Sequence, residues 1–176
     1  MKKILIAALL AAATPAFAQA PAPAPAGARG AVSDVPHNWA TIVMTANVNR
    51  SADEAWKRIK GDDYCAFITF LGMNSCVLTV GSGEVGTNRL LNGTINELMV
   101  SKTNHSYVYA QPTSAIFYHG TMAVEPVDAT HSRLVYTLIW NENGLPDAAA
   151  RTAARDGRKV RFQAAVDKMA AAANAP

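Results

Sequence analysis

Only two cysteines occur in the 176 residues. Two cysteines with no histidine near them in sequence fall short of the four ligands of a zinc site. The four histidines are widely scattered, so no pair of them marks a metal site by spacing. HExxH, GxSxG and P-loop sequences are absent, so those signatures of metallohydrolase, serine-hydrolase and phosphate-binding chemistry are missing. Charge is scarce at 16% of residues and nearly balanced, leaving neither a nucleic-acid footprint nor an acidic surface for bulk cations. The longest N-terminal apolar stretch, Ile4 to Ala13, is well short of the roughly 20 residues that span a bilayer.

What that stretch does have is the layout of an export signal. Lys2 and Lys3 form a basic start, and Ala16-Phe17-Ala18 a small-x-small cleavage site. Residues 1–18 read as a signal peptide, placing the mature chain in the bacterial periplasm or outside the cell. No cysteine follows directly to accept a lipid. Without Lys2 and Lys3 the formal charge falls from +3 to +1, so the basic pI overstates the mature protein. Residues 19–38, rich in Ala and Pro, read as a linker without a core-building period. Residues 39–174 remain as one domain, long enough for a real core.

In an oxidising compartment Cys65 and Cys76, eleven positions apart, read as a disulfide, with separate buried thiols as the alternative. Upstream, Ile42, Met44, Ala46 and Val48 alternate with polar residues, which predicts a half-buried strand from Ala40. Ser51 and Glu54 have capping-box spacing and open a helix through Trp56 and Ile59. A second short helix is expected over Tyr64 to Leu71. Strands are expected at Cys76 to Val80, Thr87 to Leu91, Thr94 to Ser101, Ser106 to Ala110, Ala115 to Val124 and Arg133 to Trp140, separated by Gly, Asn, Pro or Asp. From Pro146, placed at the first helical position, a long helix runs to about Ala172.

That helix carries two apolar faces. Ala150, Ala153, Ala154, Gly157, Val160 and Ala164 form a small-residue stripe that allows another backbone to approach. Phe162, Val166 and Met169 form a bulkier one nearly opposite, in line with Arg151, Arg155 and Arg158. The arginines are either a solvated face or a basic rim at a cavity mouth that meets an anionic head group.

The strand TIVMTANVN leading into RSADEAWKRI, with Ser51, Ala52, Glu54 and Trp56, resembles the entry of START-like (SRPBCC) domains. This superfamily includes polyketide cyclase/dehydrase, lipid-transport and Bet v 1-like proteins. GSGEVGTNR (Gly81 to Arg89) is similar to the family's Gly-rich turn ending in G-x-x-R. Glu97 to Tyr109 is similar to its E-x-L…Y-x-Y strand pair, and Tyr118 to Trp140 to its hairpin and aromatic strand. The cysteine pair departs from the family pattern, as does Tyr136 where a tryptophan is often found. The resemblance implies an α+β helix-grip fold: a curved antiparallel sheet of six or seven strands around a long C-terminal helix. An apolar cavity between the two binds lipids, polyketides or other hydrophobic molecules, which some members cyclise or hydrolyse.

Gly81, Gly83 and Gly86 also match a dinucleotide-binding GxGxxG, but a strand-like segment follows them where that motif needs a helix. A hairpin turn is expected instead, and no nucleotide or other cofactor. Alternation puts Leu134, Tyr136, Leu138 and Trp140 on one face of their strand, Tyr118, Met122 and Val124 on one face of the neighbouring strand, and Tyr107 with Tyr109 on one face of the strand before. From these the expected ligand-binding set is Tyr109, Tyr118, Met122, Tyr136, Leu138 and Trp140, with Gly157 and Val160 from the helix; the same strand residues would equally fill a core. The acid/base candidates are His119, expected on the solvent or rim side opposite Tyr118, and Glu97. Arg89 and Glu97 either pair within the pocket or both face solvent.

The expected function is periplasmic binding or carriage of a hydrophobic small molecule by a monomer, without nucleic acid. A cyclase or dehydratase using pocket Tyr, His119 or Glu97 is the enzymatic alternative. A module making transient contacts in the cell envelope is the third.

Overall fold

A computed structural model describes residues 38–176. The expected signal peptide and all of the expected linker except Asn38 lie outside the described residues. Asn38 donates from its backbone N–H and its side chain to Asn143 Oδ1, at 2.9 and 3.1 Å.

The elements run β1 (Trp39–Val48), α1 (Ala52–Arg58), α2 (Ala66–Phe70), β2 (Cys76–Val80), β3 (Asn88–Leu91), β4 (Ile95–Thr103), β5 (Ser106–Ala110), β6 (His119–Pro126), β7 (Ser132–Asn141) and α3 (Ala148–Asn174). The seven strands form one antiparallel sheet in the order β1-β7-β6-β5-β4-β3-β2. Helices α1 and α2 fill the crossover between the two edge strands, and α3 lies against the inner face. This is the helix-grip architecture.

Period-two alternation writes that inner face. Ala40, Met44 and Val48 of β1 are buried, as are Leu134, Tyr136, Leu138 and Trp140 of β7 and Met122 and Val124 of β6. Gly81 to Gly86 form the β2–β3 turn and lead into a strand, with Gly83 and Gly86 at φ +122° and +95°, where glycine carries no Cβ penalty. The Cys65–Cys76 disulfide ties the entry of α2 to the start of β2, with Cα atoms 5.7 Å apart.

At the start of α1, Ser51 Oγ accepts the Glu54 N–H at 3.3 Å. The Glu54 carboxylate turns to Arg58 at 3.0 Å, so the box is half made. Besides shifts of one or two residues at other element ends, three differences from expectation stand out. α2 is shorter than Tyr64 to Leu71: Tyr64 and Cys65 belong to the turn before it, and Leu71 is its C-cap. β6 begins at His119 and not Ala115, because residues 112–117 turn and Phe117 sits at φ +48°. Pro146 precedes the cap of α3: Asp147 Oδ1 accepts the Ala150 N–H at 2.8 Å, making Asp147 the N-cap.

Helix α3 is about 40 Å long at 1.5 Å per residue, and only its second half is gripped. Phe162, Ala165, Val166, Met169, Ala170 and Ala173 are buried, whereas no residue of 148–161 is. The C-terminal end is clamped by Arg58 Nη1, which donates to Ala175 O at 2.6 Å, and by Asn174 Oδ1, which accepts the Asn49 N–H at 2.8 Å. The small-residue stripe does not receive a packed backbone: Val160 is 72% exposed and Ala164 is exposed.

Candidate functional site

The ungripped half of α3 spans a cavity of about 470 Å³ between the helix and the sheet. Phe67, Ile68, Leu71 and Met73 supply one wall from α2 and the turn after it. Strands β3, β4, β5 and β7 supply Arg89, Leu91, Ile95, Glu97, Tyr109 and Tyr136. Gln111, Ile116 and Tyr118 come from the β5–β6 connection, and Ala153, Ala154, Gly157, Arg158, Arg161 and Phe162 from α3.

The floor is built around tyrosines. Tyr136, directly across from Met44 in the β1–β7 register, is sandwiched between Phe67 and Phe162, with ring centroids at 4.6 and 5.3 Å. Its hydroxyl hydrogen-bonds the Tyr109 hydroxyl. Tyr109 sits opposite Gly120, where a Cβ would overlap its ring. Glycine at 120 is therefore what lets the Tyr109 ring lie flat across β6.

Beside the tyrosines lies a buried ion pair. Arg89 and Glu97 are direct cross-strand neighbours in the β3–β4 register, and both are almost fully buried. Arg89 donates from Nε and Nη2 to Glu97 Oε2 at 2.8 and 2.6 Å and from Nη1 to the Tyr64 carbonyl. Its guanidinium also stacks 3.9 Å over the Tyr64 ring. Gln111 Nε2 donates to Glu97 Oε1 at 2.9 Å, so both carboxylate oxygens have donors. A buried charge persists only when so satisfied. The pocket alternative for Arg89 and Glu97 is thus the one the structure adopts.

Burial sets the titration of the floor. Desolvation pushes the phenols of Tyr109, Tyr118 and Tyr136 above the ordinary tyrosine range. For Arg89 burial opposes the charge, but Tyr107, Glu97 and Tyr64 outweigh it and the net shift is upward. At neutral pH the floor is therefore a set of neutral phenols beside a closed ion pair, able to hydrogen-bond a ligand.

Of the expected binding residues, the structure brings Tyr109, Tyr118, Tyr136 and Gly157 to the cavity. Met122, Leu138 and Trp140 are buried but do not line it. Val160 is a correction: it is exposed and outside the cavity lining, although Ala153, Ala154 and Gly157 of the same stripe line the cavity. Glu97 lines the cavity; His119 is half-buried outside it, bonded through Nδ1 to Phe117 O at 2.7 Å. Sequence reasoning missed Gln111, Arg161 and Glu142. Glu142 is fully buried and takes three hydrogen bonds from Arg155, the shorter two at 2.5 and 3.0 Å. Its place at the end of β7, thirteen positions before an arginine on α3, is the signal that was there to read.

The family model described as "Polyketide cyclase / dehydrase and lipid transport" matches residues 40–174. No curated protein matches the chain in sequence. Among solved structures it is similar to a protein from Nitrosospira multiformis, at 20% identity and TM-score 0.59, over 75% of this chain and 94% of that one. It is also similar to norcoclaurine synthase from Thalictrum flavum, at 15% identity and TM-score 0.60, over 79% and 95%. The same synthase in complex with dopamine and hydroxybenzaldehyde aligns at 16% identity and TM-score 0.57, over 80% and 91%. The chain belongs to the polyketide cyclase/dehydrase and lipid-transport family.

Proposed function

We propose that this member of the family binds a hydrophobic small molecule, lipid or polyketide-like, in the cavity beneath α3 and carries it in the periplasm. The observation that carries this reading is the open space of about 470 Å³ under a helix half with no buried residue. A structural core would have closed it, since interiors pack to crystal-like density. The volume falls within the range of small-molecule sites, and the lining is mainly apolar with a few convergent polar groups. Burying ligand surface there yields about 25 cal/mol per Å² before ordering costs. The Tyr109, Tyr118 and Tyr136 hydroxyls set orientation. The basic start, apolar stretch and Ala18 cleavage site support export, and the disulfide suits an oxidising compartment.

A second reading, a cyclase or dehydratase, is favoured by the Arg89-Glu97-Gln111 cluster and the paired phenols at one end of the cavity. Neutral phenols there would donate to a carbonyl oxygen that gains charge during reaction.

Native mass spectrometry of the purified protein, followed by solvent extraction, separates these. A carrier retains a hydrophobic mass and releases it unchanged. An enzyme releases a product different from the compound supplied. A clean apo mass with no uptake of hydrophobic probes would contradict both and favour a docking module.

A further inference from the structure

We propose that the mouth of the cavity is an anion subsite formed by Arg158 and Arg161, so that the ligand is an amphiphile with one carboxylate or phosphate head on an apolar body. This rests on the reading that the cavity binds a ligand.

The charged residues lining the cavity are Arg89, Glu97, Arg158 and Arg161. Arg89 and Glu97 neutralise each other on the floor. The two arginines of α3 have no such answer: among the described residues neither forms an ion pair with a carboxylate. Three residues apart, they share one helix face and repel each other. Helix neighbours supply no acid either. Positions three and four away from them are Ala154, Arg155, Phe162, Gly157, Ala164 and Ala165, besides the two arginines themselves. Two other helical arginines are neutralised, although among the described residues Arg151 of α3 is not. Arg58 has Glu54 four residues before it at 3.0 Å, and Arg155, one turn before Arg158, has the buried Glu142.

Both guanidinium groups are held by contacts that leave most of their donors open. Arg158 lies 4.6 Å over the Trp140 ring and donates once, from Nη1 to Ala154 O at 3.2 Å. Arg161 lies 5.9 Å from the Phe162 ring centroid. A guanidinium has five N–H donors in a fork that matches carboxylate and phosphate oxygens. Both cations also act on the Tyr118 phenol: burial raises its pKa, and Arg158 and Arg161 pull against that rise. They therefore stand at the edge where Tyr118 meets the cavity. An anion seated between them leaves its apolar body to run inward over Leu71, Leu91, Ile95 and Ile116.

The test is competitive displacement of the fluorophore phenylnaphthylamine from the full chain by decanoate, decyl phosphate and decanol, each below its micelle-forming concentration. Two partly exposed charge contacts predict that the anions bind roughly five- to thirty-fold more tightly than the alcohol. That advantage should shrink in about 0.5 M salt and disappear in the Arg158→Gln, Arg161→Gln double variant, its folding checked by its melting temperature. The tighter of decanoate and decyl phosphate names the head group. Equal affinity of all three for the wild type, or an advantage kept in the double variant, overturns the anion subsite and leaves the cavity reading standing. Uptake of none of them, nor of the fluorophore, overturns both.

Discussion

Gly120 is where one hydrogen atom decides a packing arrangement. A Cβ there would overlap the Tyr109 ring, so Gly120→Ala must displace that ring and break its hydroxyl pairing with Tyr136. Overpacking of this kind costs about 1–3 kcal/mol, and urea denaturation should report it; an unchanged midpoint would contradict the geometry. Glu97→Ala should cost more, about 3–5 kcal/mol, because it leaves Arg89 buried without its partner. All five tyrosines, Tyr64, Tyr107, Tyr109, Tyr118 and Tyr136, are buried with phenols raised above the ordinary value of 10.0. A raised folded pKa means that the native state keeps protons which the unfolded state loses. The contribution of these groups is complete below pH about 10 and is lost as pH climbs above it. Absorbance titration should show no phenolate in the native protein near that pH, with ionisation arriving together with alkaline unfolding. The inward tyrosines were legible because β5 and β7 alternate cleanly. Arg89 was not, because the four residues of β3, Asn-Arg-Leu-Leu, carry no period from which to choose a face.

At the scale of elements, the two ends of α3 do different things. The second half is gripped, and the first half roofs the cavity without burying a side chain. The sequence distinguished a bulky face from a small one, and Phe162, Val166 and Met169 are indeed the face that packs. It did not show that the small-residue stripe meets no partner, since alanine and glycine suit close packing and open space equally. Gly157 meets nothing within 4 Å of an added Cβ. Gly157→Ala should therefore stabilise the domain by roughly 0.8–1.0 kcal/mol through helix propensity alone, raising the melting temperature; a fall would mean that the helix there is packed. The disulfide belongs to this scale too, because it anchors the α2 wall of the cavity to β2. Closing a loop with sequence separation 11 stabilises by about 3 kcal/mol in the chain-entropy account. Cys65→Ser should lower the melting temperature under oxidising conditions and make no difference in reductant. Equal effects in both would show that the bridge does not form in solution.

For the domain as a whole, the positions of strands and helices along the chain followed from hydrophobic period and turn residues, which is why Ala40 to Trp140 could be laid out strand by strand from sequence, while the sheet curved around the last helix was implied by the family resemblance. The cavity could not, since large inward residues are required both by a filled core and by a lined pocket. Only the place of α3 over the sheet distinguishes them, and its far end is held by contacts of Ala175 and Asn174 with Arg58 and Asn49, more than a hundred positions away in sequence. The most direct test is uptake of phenylnaphthylamine by the full chain, wild type beside Gly157→Trp, followed by fluorescence. The account predicts saturable uptake of one probe per chain by the wild type. Gly157→Trp, whose indole would fill the space under α3, should bind about ten-fold or more weakly. No saturable uptake by the wild type, or equal uptake by both proteins, would contradict the proposal that the space under α3 is a binding site.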